Sequence, residues 1–285
     1  MMREQLIALS PLARTAWNDA CCRAEHSNVC NDAMASWLVD AFGNSPAFAK
    51  LDPLVSVGVA ARRRAFDRLM QDVQDYFGPS IRYEVWLLGA GFDLGRDFGP
   101  SAERVLAFDL PEVLNVRSLL SERAEIPKLS SGEVAIPADF RDVTTTLPKT
   151  DWPILAIAEG FFDFLDAQSR TRLLGCLAKA SRKGKVILLC DGLNSLGSAI
   201  DNRNPERFTG ERGLPFVGAP RDAVAFHREC GWQTRLSVPL FREMALLIAE
   251  TRKARGWMRH VPMPGFARRL YALHWLEPSC GRTHD

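Results

Sequence analysis

No pair among the seven cysteines of this 285-residue chain has C-x-x-C spacing. They are odd in number and scattered, at Cys21, Cys22, Cys30, Cys176, Cys190, Cys230 and Cys280. That pattern argues against both a structural zinc site and a thioredoxin-type motif. Cys176 and Cys190 sit in apolar segments and read as small buried hydrophobes. His, Cys and carboxylate residues do not cluster at recognised ligand spacings, so no metal site is expected. No stretch approaches the roughly 20 apolar residues that span a bilayer. The opening MMREQLIALSPLARTAW lacks the apolar run of a signal peptide. A reducing cytoplasm, without a membrane partner, is the expected setting. Charge of one sign is also missing: 36 basic residues face 34 acidic ones, for a net +2. A nucleic-acid partner would call for a strong basic bias, so none is expected. Basic runs do occur at Arg62-Arg63-Arg64 and around Arg252, Lys253 and Arg255. Their ordinary reading is a solvated helix face.

What is present is a core. Hydrophobic residues make up 47% and charged residues 25%, which suits one large globular domain or a core with an appended subdomain. Leu12–Phe42 predicts one or two helices, stopped by Gly43-Asn44-Ser45-Pro46. Val57–Tyr76 carries Val59, Phe66, Leu69, Met70 and Val73 at helical spacing. Short apolar runs then follow at Tyr83–Leu88, Arg104–Phe108, Glu133–Ile136, Pro153–Ala158 and Lys185–Cys190. Helical segments at Pro111–Leu120 and Asp166–Ala180 lie between them, the second stopping around Lys183-Gly184. This alternation predicts an α/β fold, a Rossmann-like, doubly wound and mostly parallel sheet. Asn194–Pro220, rich in Gly, Asn, Pro and Arg, reads as loop. A helix at Arg221–Cys230, a strand at Arg235–Pro239, a helix at Phe241–Lys253, a strand at Leu270–Leu276 and a frayed tail at Ser279–Asp285 complete the expectation.

Ligands of an open parallel sheet bind beyond the carboxyl ends of its strands. The polar residues at those predicted ends are Gly89, Gly91 and Asp93, then Asp109, Asp139, Glu159 and Asp191. A single Asp there is as readily a helix cap as a ligand contact. Acids at successive strand ends favour a site. Asp109 follows Gly89 by 20 residues, the approximate spacing at which dinucleotide sites place a ribose-binding carboxylate. For an adenosyl ligand, Asp139-Phe140 offers an acceptor for the adenine amino group and a ring for its face. Gly89-Ala90-Gly91-Phe92-Asp93-Leu94-Gly95 reads G-x-G-x-x-x-G, one residue longer than the dinucleotide pattern. The loop therefore does not favour a nicotinamide cofactor, though it does not exclude one.

Several segments resemble, in order, motifs of the leucine carboxyl methyltransferase family, which includes polyketide O-methyltransferases. Leu87-Leu88-Gly89-Ala90-Gly91-Phe92-Asp93 is similar to its glycine-rich first motif, and Phe108-Asp109-Leu110-Pro111-Glu112-Val113 to its D-L-P-E-V segment. Ala158-Glu159-Gly160-Phe161-Phe162-Asp163-Phe164-Leu165 resembles E-G-x-x-x-Y-L, and Arg62–Asp67 resembles R-T-R-x-x-D. Thr15-Ala16, Arg23-Ala24-Glu25 and Asn31-Asp32 are similar to its N-terminal pattern. The likeness covers roughly residues 12–190.

The resemblance implies the class I methyltransferase fold and S-adenosyl-L-methionine as cofactor. It implies that Gly89, Ala90 and Gly91, with Asp93, line that cofactor, that Asp109 and Leu110 hold its ribose, and that Asp139 and Phe140 face its adenine. Arg62 would bind its carboxylate, and Glu159 with Gly160 would lie beneath the sulfonium; Glu159 and Arg62 are thus the expected catalytic pair. The implied activity is O-methylation of a carboxylate or hydroxyl on a small secondary-metabolite-type acceptor, anionic or aromatic. A silent cofactor- or partner-binding module remains the alternative, and a nicotinamide oxidoreductase a weaker one. A hydroxyl acceptor would want a base, for which Glu159 or His227 stand nearest in this reading.

Phe164 replaces the motif tyrosine, Leu94-Gly95-Arg96 shifts an arginine by one position, and Ala33 replaces a proline. The expected division is a helical cap over 1–80, the cofactor-binding core over 81–193, an acceptor lid with core helices over 194–260, and a terminal strand and tail over 261–285. In that lid Arg203, Arg207 and Arg212 offer charge for an anionic acceptor, and Phe208, Phe216, Phe226 and Trp232 offer apolar surface.

Overall fold

The computed structural model describes residues 2–30, 32–124, 132–182, 185–251 and 270–279. The helices are α1 (Met2–Ala8), α2 (Pro11–Glu25), α3 (Ser27–Cys30), α4 (Ala33–Phe42), α5 (Pro53–Phe77), α6 (Pro111–Arg123), α7 (Ala167–Ala178), α8 (Ser195–Asp201), α9 (Pro205–Thr209), α10 (Ala223–Glu229) and α11 (Leu240–Thr251). The strands are β1 (Tyr83–Leu88), β2 (Ala102–Asp109), β3 (Glu133–Pro137), β4 (Ile154–Ala158), β5 (Val186–Leu193), β6 (Trp232–Pro239) and β7 (Tyr271–Pro278). They form one seven-stranded sheet in the order β3-β2-β1-β4-β5-β7-β6. β1 to β5 run parallel, while β7 lies antiparallel between β5 and β6.

The predicted strands are legible in this sheet because its centre is covered on both faces. β1 is buried at every position. Val85 and Leu87 point to the face covered by α5 and α11; Trp86 and Leu88 point to the face covered by α7 and α10. A third apolar cluster joins α1, α2 and α4 to α6 through Leu6, Trp17, Leu38, Phe92 and Leu120. The helical region before β1 is thus fixed to the core rather than merely tethered to it.

Local signals set the ends of these elements. Ser10 and Asp32 cap α2 and α4, each accepting from a backbone amide of the first turn. α5 begins four residues before the predicted Val57, because Asp52 accepts from the Leu54 amide and Pro53 fits the first turn. Gly78 closes it with φ of 78°. The expected loop over Asn194–Pro220 is corrected by α8 and α9. Asn194 caps α8 by accepting from the Gly197 amide, and Gly210, in a left-handed conformation, ends α9. Both helices are too short for apolar periodicity to reveal. The expected stop at Lys183-Gly184, the basic residues at 252, 253 and 255, and the tail beyond Ser279 lie outside the described residues. No helix among the described residues is long and apolar enough to cross a membrane.

Candidate active site

The strand order reverses between β1 and β4, and a crevice opens there at the carboxyl ends of the strands, as doubly wound sheets dictate. It holds a cavity of about 490 Å³, within the usual range of small-molecule sites. Among the sequence-predicted residues, Arg62, Gly89, Ala90, Gly91, Asp93, Asp109, Leu110, Asp139, Phe140, Glu159 and Gly160 all line it. The structure therefore brings the whole predicted set into one place.

At one end of the cavity stands Asp109, the last residue of β2. Its Oδ2 accepts from the Gly91 amide at 2.7 Å and its Oδ1 from the Leu110 amide at 2.7 Å. Burial pushes its pKa up to about 6, against the pull of those two amides. Gly89 has φ of 69°, and a Cβ there would sit 2.6 Å from the Phe161 ring. A side chain would therefore both strain the turn and drive Phe161 out of place. Phe140 is buried at the same end, edge-on to Phe161 at 5.5 Å. Asp139 lines the cavity and accepts from the Arg141 guanidinium at 2.8 and 2.6 Å and from the Arg141 backbone amide at 3.0 Å.

Further in, charged side chains form a buried lattice. Arg62, from the middle of α5, meets Asp19 of α2, Glu159 at 3.4 Å and Asp191 at 3.5 Å. Arg96 binds Glu159 at 2.6 Å and Asp93 at 2.9 Å, and Arg63 binds Asp93 at 2.5 Å. Arg23 with Asp32 closes the far side at 2.7 Å. The basic run on α5 is thus not a solvated face: Arg62 and Arg63 turn inward, while Arg64 pairs with Glu250. Burial works against the charge on Glu159, but Arg96, Arg62 and Arg63 outweigh it and hold the carboxyl below its ordinary range. Asp93 is held lower still by Arg63, Arg96 and Arg23, again against burial. Burial raises Asp191 to about 7, with Arg62 opposing.

Three participants had no signal in the sequence. Asp19 reaches Arg62 from the cap. Tyr271, at the start of β7, donates to Asp191 Oδ2 at 2.5 Å and accepts from Arg62 at 3.4 Å. Asp163 follows Glu159 by four residues and is treated below. The partners of these bonds lie up to 209 residues apart, so no local pattern marks them.

Other expectations are corrected. His227 does not line the cavity; it is buried on α10, 5.1 Å from the His274 ring. It is a packing residue and not a base for this site. Glu159, committed to two arginines and acidified by them, is a weak base as well. Phe208 and Phe216 line the cavity, but Trp232 and Phe226 belong to the core cluster. Arg207 pairs with Asp52 and Arg212 with Glu206, so neither stands free for an anion. Among the described residues no cluster of three potential metal ligands occurs.

Sheet order, reversed last strand and acidic strand end together define the Rossmann-like class I methyltransferase fold. A solved structure from Thermobifida fusca, assigned as a methyltransferase, shares it with a TM-score of 0.55 at 15% identity, over 88% of this chain and 94% of that one. The model of the leucine carboxyl methyltransferase family matches residues 12–178, and the chain belongs to that family. Relatives in Mycobacterium sp. strains JLS and KMS, assigned as S-adenosyl-L-methionine-dependent methyltransferases, are each 27% identical over 199 residues. Each match covers 62% of this chain and 62% of the relative.

Proposed function

We propose that the protein is an S-adenosyl-L-methionine-dependent methyltransferase that methylates an oxygen, carboxylate or hydroxyl, of a small secondary-metabolite-type acceptor. Family membership and the assignments of its relatives support the reaction class. The observation that carries the reading is Asp109 beside the Gly89-Ala90-Gly91 turn, opening on the same cavity as Arg62 and Glu159. The residues fit the cofactor. Asp109 keeps acceptor lone pairs for ribose hydroxyls, and Phe140 with Leu110 offers apolar walls for a base. The buried Nη1 of Arg96 has no acceptor among the described residues, so the lattice has a donor left for an anionic group. Bound there, the cofactor supplies an electrophilic methyl on sulfur.

The chain's own groups then position and shield. Glu159, kept anionic by Arg96 and Arg62, presents negative charge to the cationic end of the ligand. Arg62 holds a carboxylate while Asp19 and Asp191 fix its guanidinium. The cap, through Leu51, Leu54 and Val55, and the lid, through Phe208, Phe216 and Phe241, exclude water from the acceptor side. A carboxylate acceptor is already ionised at neutral pH and needs no base, which suits a site where Glu159 and Asp93 are committed to arginines.

Calorimetric titration with S-adenosylmethionine, S-adenosylhomocysteine and NADH tests the reading. Micromolar binding of both adenosyl ligands, none of NADH, and transfer of labelled methyl to carboxylic acids or phenols are expected. Adenosyl binding without transfer to any acceptor would favour a silent module instead. No adenosyl binding by folded protein would overturn both.

A further inference from the structure

The ion pairs of the cavity leave an imbalance. Each lining cation has at least one carboxylate partner: Arg23 has Asp32, Arg62 has Asp19 and Glu159, Arg96 has Asp93 and Glu159, Arg141 has Asp139 and Arg207 has Asp52. Three lining carboxylates have no ion-pair partner among these lining cations. One, Asp109, is the acceptor at the proposed ribose end. The other two are Asp163 and Asp201, and both lie toward the lid.

Asp163 follows β4 in the turn that carries Glu159. Its side chain is only 5% exposed. Oδ1 accepts from the Leu193 amide at 2.9 Å and stands 3.8 Å from Arg170. Oδ2 accepts no hydrogen bond among the described residues, although the residue lines the cavity. Arg170 is itself bound to the Leu165 and Val217 carbonyls and does not line the cavity. Asp201, the last residue of α8, lines the same cavity, and its carboxylate makes no hydrogen bond or ion pair with a described residue. Burial, with Asp163 adding to it, raises its pKa to about 6. Asp201 thus has no cation within ion-pair distance among the described residues, and Asp163 has only Arg170, at 3.8 Å.

The remaining walls are aromatic and aliphatic. Phe164 and Phe216 meet at 5.6 Å between centroids, and Ile200 and Phe241 complete the surround. Phe164 stands where the family motif has a tyrosine, so the wall offers a ring face and no hydroxyl. Carboxylates together with phenyl faces are the chemistry that receives an organic ammonium.

We propose that the acceptor carries a protonated amine in addition to the oxygen that is methylated, with the ammonium seated between Asp163 and Asp201 against Phe164 and Phe216. This rests on the methyltransferase reading for the identity of the acceptor, but not for the existence of the ammonium site. It adds a cationic end to the anionic or aromatic acceptor expected from the sequence.

Binding to protein saturated with S-adenosylhomocysteine tests it, using two matched sets of probes. One is tyramine, 4-ethylphenol and 3-(4-hydroxyphenyl)propanoate; the other is 6-aminohexanoate, hexanoate and hexanedioate. In at least one set the ammonium member is expected to bind tenfold or more tightly than both others. Asp201→Asn should cut that preference below threefold while leaving S-adenosylhomocysteine affinity unchanged. Asp163→Asn should do the same where it folds; Asp201, with no structural bond to lose, keeps the test valid if it does not. Equal or tighter binding of the neutral or anionic members, no binding in either set, or a preference that survives Asp201→Asn would overturn the proposal. So would loss of S-adenosylhomocysteine affinity in Asp201→Asn, since the cofactor's own ammonium would then occupy the place. An ammonium preference without methyl transfer would sink the proposed function and leave this site standing.

Discussion

Two buried polar clusters sit at opposite ends of β1, and they are built on different principles. At the amino end, Glu84 is fully buried and its two oxygens are filled: Arg104 at 2.7 Å, Thr150 at 2.8 Å and the Trp86 indole at 2.9 Å. At the carboxyl end, Arg62, Arg63 and Arg96 share several carboxylates, and the Arg96 Nη1 is left over. The first cluster is closed and borders no cavity; the second is open and lines one. A buried charge whose bonds are all made belongs to the architecture. One with bonds to spare beside a void belongs to a ligand.

The largest effect that would sharpen this contrast is on stability. Glu84→Ala strands the indole N–H and the Thr150 hydroxyl and should cost about 3 kcal/mol. Chemical denaturation would show it, with S-adenosylhomocysteine affinity of the folded fraction unaltered. A loss below about 1 kcal/mol would remove Glu84 from the architecture. Arg62→Ala should do the reverse. Methyl transfer should fall about 100-fold, roughly 2.7 kcal/mol, with a smaller loss of stability than in Glu84→Ala. Glu159 keeps Arg96, and Asp191 can take up a proton. Turnover near the parental rate would end its assigned role.

Asp109→Asn comes next. The adenosyl ligand should bind about tenfold more weakly, near 1.4 kcal/mol. Because burial raises the Asp109 carboxyl to about 6, its stability contribution is present below the unfolded pKa and lost as pH rises through 6. The substitution should therefore leave the melting temperature at pH 8 unchanged or higher while binding weakens. A parallel fall of both would mean the residue is architectural.

The smallest effect tests the converse case, unfilled polar atoms away from any void. His227 and His274 are buried together, and Nδ1 of each lacks a partner among the described residues. Burial depresses their pKa values to about 3 and about 4, so both stay neutral in the folded protein. Their contribution to stability is present above the unfolded value and lost as pH falls from about 6.5 toward 4. Replacing both with Met should flatten the acid limb of the stability profile by on the order of 1 kcal/mol, without changing ligand binding. An unchanged limb would show that the pair is solvated.

Much of this was legible before the fold. β1, β4 and β5 announce themselves as apolar runs because helices cover both of their faces, and Asp109 is marked by its spacing from Gly89. The Asp109 end of the cavity is built from short segments at strand ends, and short segments carry motifs. Other parts of the cavity lining come from α2, α8 and β7, far apart in sequence, so Asp19, Asp201 and Tyr271 carried no mark. His227 looked available only because the sequence does not say on which side of a helix a side chain is buried. The helices within 194–210 were hidden by the same Gly, Asn and Pro residues that cap and end them.

β7 has one more consequence. Among the described strands it is the one antiparallel partner of β5 and the one neighbour of β6. The same strand delivers Tyr271 to Arg62 and Asp191. Among the described strands β6 thus joins the sheet through β7, and the charged lattice takes its hydroxyl from that same strand. One strand therefore closes the sheet at its antiparallel edge and completes the charged lattice beside the cavity.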